Sequence, residues 1–149
     1  MKKIILSLVL AVTCLGFMNA QENAIGLRFI GDEISGVELS YQRNLCQKNR
    51  LEVDLGLNFK GSGVRAAAIY QWVWDLSVLA DGFKWYAGPG AQAFIYKGGA
   101  GIGIVGNVGI EYTFNIPLQL SLDFRPGWFF GDGDGFGWGG VGLGVRYKF

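Results

Sequence analysis

The chain has 149 residues, of which 25 are glycine and 22 aromatic, with 2 cysteines, no histidine and only 17% charged residues. This length holds one ordinary domain, its aromatic content excludes a disordered tail, and a glycine at about every sixth position argues against a soluble helical protein, because Gly costs about 1 kcal/mol inside a helix. A formal charge of +1 gives no electrostatic basis for binding nucleic acid, and without His every His-based catalytic or metal site is excluded.

Residues 1–20 have the layout of a secretory signal peptide. Lys2 and Lys3 form the basic region, Ile4 to Val12 an apolar run that continues loosely to Phe17, and small Asn19 and Ala20 precede polar Gln21. Cleavage is expected after Ala20. The apolar run is shorter than the ~20 residues of a membrane span. Removing residues 1–20 leaves 129 of the 149 residues and, with Lys2 and Lys3 gone, moves the charge from +1 to −1. Cys46 is then alone, so no internal disulfide is expected.

The mature chain, 21–149, alternates with period two, which in a strand places one set of side chains on each face. Ile25, Leu27 and Phe29 oppose Gly26 and Arg28; Val37, Leu39 and Tyr41 oppose Glu38, Ser40 and Gln42. Leu51, Val53, Leu55, Leu57 and Phe59 oppose Glu52, Asp54, Gly56, Asn58 and Lys60. Val64, Ala66, Ala68, Tyr70, Trp72 and Trp74 oppose Arg65 and Gln71. Residues 66–80 could also be read as a helix, but their flanks alternate. In 83–96, Trp85, Ala87, Ala91, Ala93 and Ile95 face one way and Gly88, Gly90 and Gln92 the other, with a bulge expected at Pro89. Ile102, Ile104, Val108, Ile110, Tyr112 and Phe114 oppose Gly101, Gly103, Asn107, Gly109, Glu111 and Thr113. Leu118, Leu120, Leu122 and Phe124 oppose Gln119, Ser121, Asp123 and Arg125. Val141, Leu143, Val145, Tyr147 and Phe149 oppose Gly142, Gly144, Arg146 and Lys148. Eight strands and the turn residues between them fill the chain.

The polar face is small, glycine-heavy and sparsely charged, unlike the Lys- and Glu-rich face of a soluble sandwich. It suits the interior of a narrow barrel, where eight strands leave just enough room for side chains. The apolar face ends in aromatics, as in the interface girdles of transmembrane barrels. The predicted fold is therefore all-β, an eight-stranded antiparallel up-and-down transmembrane β-barrel over 21–149. Its interior would hold a charge network of Arg28, Glu38, Glu52, Asp54, Arg65, Glu111, Asp123, Arg125 and Arg146. Four positive and five negative charges nearly cancel, which implies cross-strand ion pairs, since unpaired buried charges are very costly.

With its signal peptide, strand count, alternation and final Phe149, the chain resembles the small eight-stranded outer-membrane proteins of Gram-negative bacteria, the OmpA/OmpX-like barrels, a porin-like architecture. The resemblance implies export to the cell outer membrane, a lipid-covered outer face, a monomeric barrel and insertion by the barrel-assembly machinery. Val141, Leu143, Val145, Tyr147 and Phe149 would form the C-terminal insertion signal. It also implies outer loops near 31–34, 60–63, 97–100 and 129–136, shorter than usual for these proteins, and places the longest connection, 75–82, on the periplasmic side. Enzymes on this scaffold rely on a His, so no catalytic role is expected. Glu52 and Asp54, one pleat apart on one face, could in principle serve acid–base chemistry, but a structural network has the same pattern.

Other motifs carry less. Gly101-Ile102-Gly103-Ile104-Val105-Gly106 matches G-x-G-x-x-G but lies in an alternating strand with no helix after it, whereas a dinucleotide site needs strand, loop and helix. Asp132-Gly133-Asp134 lacks the further ligands of a calcium loop. Nothing near Cys46 activates it. No cofactor, metal or nucleic-acid partner is expected. The role implied is structural or surface-interacting with a plugged lumen; a narrow passive pore and a soluble periplasmic barrel holding an apolar ligand are the alternatives.

Overall fold

The computed structural model describes residues 23–31, 36–58, 63–131 and 134–149. The expected signal peptide, Phe59 and the Asp132-Gly133 step of the last outer loop lie outside these residues. Ten antiparallel segments form one sheet: β1 (Asn23–Gly31), β2 (Gly36–Asn44), β3 (Asn49–Asn58), β4 (Gly63–Asp75), β5 (Phe83–Tyr96), β6 (Gly99–Thr113), β7 (Leu118–Phe124), β8 (Gly127–Gly131), β9 (Gly135–Gly137) and β10 (Val141–Lys148). The order β5-β4-β3-β2-β1-β10-β7-β6-β8-β9, with β5 also paired to β6, closes the sheet on itself.

β7 and β8 are two halves of one wall strand. Both pair with β6 in a single register, Val108 opposite Phe124 and Val105 opposite Gly127, and the Gly106 amide still donates to the Pro126 carbonyl at 2.8 Å. β9 and β10 likewise form the last wall strand, so the barrel has eight. Closure pairs every strand but the short β9 on both sides; β9, at the distal end, pairs only with β8 among the described residues. One end, the terminal end, carries Asn23, Phe149 and the connections 45–48, 76–82 and 114–117; the other, distal end carries the remaining hairpins.

Local chemistry sets the details. β4 runs as a strand to Asp75, so the helical reading of 66–80 fails; the chain then turns where Asp75 Oδ1 accepts the Ser77 amide at 2.8 Å. The bulge expected at Pro89 is absent. Ile69 pairs with Gly90 and Trp72 with Ala87, so the ladder loses two pairs there without gaining a residue. Pro89 lacks an amide to donate, and its neighbour Gly88 lies so close to the Tyr70 carbonyl that a side chain would collide with it.

The one-residue excess sits elsewhere. Between Gly127 and Phe124 are three steps, while between their partners Gly137 and Val141 are four. This is a β-bulge in Trp138-Gly139-Gly140, with Gly139 at φ 72° and Gly140 at φ 68°, a region that glycine enters freely. The expected loop 129–136 is thus largely strand: β8 continues to Gly131 and β9 begins at Gly135.

Polarity is inverted relative to a water-soluble domain. Among the described residues, six hydrophobic side chains are buried and eighteen polar or charged ones are, while thirty large hydrophobic residues are exposed. Every wall strand sends its apolar set outward. Trp72, Trp74, Trp85, Phe114, Tyr147 and Phe149 ring the terminal end, where Trp74 stacks on Trp85 with centroids 4.2 Å apart. Phe29, Tyr96, Trp128, Phe130, Phe136 and Trp138 lie toward the distal end.

Candidate functional site

The alternation that sends Leu27, Leu39, Leu55 and Leu122 outward turns Arg28, Glu38, Asp54 and Asp123 into the bore. Arg28, Glu38, Glu52, Asp54, Arg65, Glu111, Asp123, Arg125 and Arg146 are all at most 5% exposed. Arg28 bridges Glu38 at 2.9 Å and Asp123 through both Nε and Nη2. Arg65 Nε lies 3.0 Å from Glu38. Arg125 reaches Glu38 at 3.4 Å, Glu52 at 2.9 Å and Asp54 at 2.6 Å. Arg146 contacts Glu52 at 3.2 Å and donates to Ser40 and Ser121 at 2.9 and 2.6 Å. Charge-assisted pairs of this kind are short and strong, and each carboxylate needs them once water is excluded.

Of the ion pairs among the described residues, only Arg28 with Glu38 joins directly opposed positions. Its second partner, Asp123, is on β7, beyond the intervening β10. Arg28 reaches it because Gly142 of β10 has no side chain: a Cβ there would overlap the guanidinium. Small residues on one strand thus let long ones on the next two meet.

Two residues joined to the charge network, Arg50 and Tyr86, are not among the nine charged positions read from the sequence. Arg50, 3% exposed, pairs with Glu111 at 2.6 Å, donates to Gln71 and sits 4.5 Å from the centre of the Tyr86 ring. Tyr86, fully buried, lies 3.3 Å from Asp123 through its hydroxyl. Parity with Glu52 and Asp54 already places Arg50 on the inner face. Counting it, the buried bore holds five arginines and five carboxylates. Gln71 donates to Asn107 at 2.7 Å and Asn107 to Asp123 at 3.3 Å, which links Arg50 to the Arg28 cluster in one continuous chain. Gln42 joins it through Glu52.

The remaining motifs find structural places. Gly101 and Gly103 of the G-x-G-x-x-G run lie within β6, inward, where a side chain would meet the rings of Phe94 and Phe129; Gly106 faces out. Glu52 and Asp54 are both held by the Arg125 Nη2. Asp134 accepts the Gly131 amide, and Cys46 is exposed in the 45–48 turn. Val141, Leu143, Val145, Tyr147 and Phe149 form an exposed outer stripe on the last strand, with the Tyr147 and Phe149 rings stacked at 6.3 Å.

Such an interior is filled and charge-balanced. It is the reverse of what a soluble barrel with an apolar ligand requires: Asp123 and Arg125 are buried and Leu122 is 48% exposed.

No family model matches the chain, and no curated protein matches it. Among solved structures, the chain is similar to one described as "De novo design of transmembrane beta-barrels", with 15% identity and a TM-score of 0.58 over 89% of this chain and 98% of that one. At that identity the likeness carries the fold alone: a closed, eight-stranded antiparallel barrel.

Proposed function

We propose that this protein is an integral outer-membrane β-barrel with a structural or surface-interacting role and a lumen plugged by ion-paired side chains, not an enzyme. One observation carries the reading: among the described residues, eighteen polar or charged side chains are buried while thirty large hydrophobic ones are exposed, most of them on the outward faces of the wall strands. In water that outer surface would far exceed the few hundred Å² of contiguous apolar patch that a soluble monomer carries. In lipid it is the required surface, and a closed barrel is the one strand architecture that satisfies every backbone group there. The aromatic residues toward both ends fit the two interfaces. The stripe from Val141 to Phe149 serves as the insertion signal for the barrel-assembly machinery, and residues 1–20 direct export.

The test is mobility on a gel. The folded barrel, unboiled, runs at a different apparent size from the boiled chain, and it partitions with outer membranes on fractionation. A water-soluble monomer after signal removal defeats the reading. For the lumen, planar-bilayer recordings of the wild-type protein are expected to be silent; regular single-channel steps would make it a pore.

A further inference from the structure

The two most exposed of the thirty large hydrophobic residues are not on a wall strand. They are Val78, 96% exposed, and Leu79, 69% exposed, in the connection between β4 and β5. The stretch Leu76-Ser77-Val78-Leu79-Ala80 carries no charge and lies between Asp75 and Asp81. A connection that meets water is normally built from Gly, Pro, Asn, Asp and Ser.

This connection is held in place by its own backbone. The Leu76 amide donates to the Phe83 carbonyl at 3.0 Å, one step past the Asp75–Lys84 pair of the ladder. The Leu79 amide donates to the Leu76 carbonyl at 3.0 Å, and the Phe83 amide to the Ala80 carbonyl at 3.2 Å. Gly82, at φ 98°, accepts the Thr113 amide at 3.0 Å, which ties the connection to β6. The backbone thus presents Val78 and Leu79 in a fixed place, with little of the barrel covering either.

Its position says what covers them. Trp74 and Trp85, stacked on the outer face, form its base, and tryptophans of a spanning protein sit at headgroup level. Leu76 lies two residues past Trp74, about 7 Å along a strand, and a headgroup layer is about 5–7 Å thick on each side. The bond from Leu79 back to Leu76 keeps the connection at that height. The apolar rim continues into the neighbouring connection, where Ile116 is exposed beside Phe114. The third connection at this end exposes Gln47 and Lys48 instead.

We propose that the β4–β5 connection is a lipid anchor, with Val78 and Leu79 seated at the boundary between headgroups and acyl chains. It rests on the reading that the outer face meets lipid. Anchors at the interface help set the depth and tilt of a spanning element, and this one acts on one side of the barrel only.

The experiment places a spin label at position 78, 122 or 47 by Val78→Cys, Leu122→Cys or Gln47→Cys, each with Cys46→Ser. The chain from Gln21 is folded into phosphatidylcholine vesicles. Collisions with oxygen, which concentrates in lipid, are compared with those of a water-soluble nickel chelate. Oxygen is expected to dominate at 122 and 78, and the chelate at 47, with chelate collisions several-fold rarer at 78 than at 47. Val78 is almost free of barrel contacts, so its variant should keep the gel shift; Leu79→Cys gives a second reading at the same depth. If 78 and 79 behave like 47 while 122 stays in lipid, the anchor is overturned, the barrel reading stands, and the connection is left free for a protein partner. If the chelate also dominates at 122, the membrane reading falls and takes the anchor with it.

Discussion

The barrel interior is filled in two ways. Where β1, β2, β3 and the β7–β10 wall face one another, the filling is ionic: Arg28, Arg125 and Arg146 each serve more than one partner drawn from different strands. Toward the distal end of β5, β6 and β8 the filling is aromatic. Phe94 meets Phe129 edge-on at 5.7 Å, and Gly101, Gly103, Gly127 and Gly137 stand where side chains would strike those rings. The ionic region is a set of mutual obligations, so it suffers most when a member is removed. The aromatic region needs only volume, so it suffers most when volume is added.

That contrast orders the expected effects. Arg125→Ala strips a partner from Glu38, Glu52 and Asp54 together and should destabilise the barrel most, by about 3–5 kcal/mol, as for breaking a buried ion pair. Urea titration of the protein folded into vesicles measures it. The same variant is the one most expected to open ion conductance, because it removes charge and bulk from the middle of the bore. In the aromatic region, Gly103→Leu should cost about 1–3 kcal/mol by overpacking against Phe129. Combining it with Phe129→Ala should recover part of that loss; if the double variant is worse than the sum of its parts, the glycine serves the strand rather than the ring. Smallest of all, Leu122→Ala on the outer face should cost about 1 kcal/mol in vesicles, because the exposed half of that side chain passes from water into lipid on folding and each CH₂ so transferred is worth about 0.8 kcal/mol. A change of no more than about 0.5 kcal/mol, as at a water-exposed position, would mean that lipid does not cover this face.

Much of this was legible in the chain. Period-two alternation assigns a face to each residue, and so it yields both the barrel and the nine charged positions in its bore. It cannot name partners, because a face is a property of one strand whereas a pair depends on register between strands. Arg28 with Asp123, two strands apart across Gly142, shows the gap. Arg50 escaped because it follows a polar turn, where the strand start is blurred, although its parity with Glu52 was visible. Tyr86 lies in a stretch of Ala, Gly and Pro whose alternation is faint. The interruption at Pro89 was expected from the missing amide, but its form was not: losing a donor opens a ladder without adding a residue.

The bulge at Trp138-Gly139-Gly140 has a consequence for how this chain tolerates changes in length. Outward residues are even-numbered before it, at Phe136 and Trp138, and odd-numbered after it, at Val141, Leu143 and Val145. The bulge absorbs the one extra residue. Deleting one glycine there would remove the bulge and restore strict alternation, with Trp138 outward, the remaining glycine inward and Val141 outward, so every later residue keeps its face. Removing both would turn every later residue to the opposite face, sending Arg146 outward and Leu143 into a bore with no room for it. In this last stretch, the sequence is read in pairs, and the bulge is where one residue can be lost without shifting the reading frame.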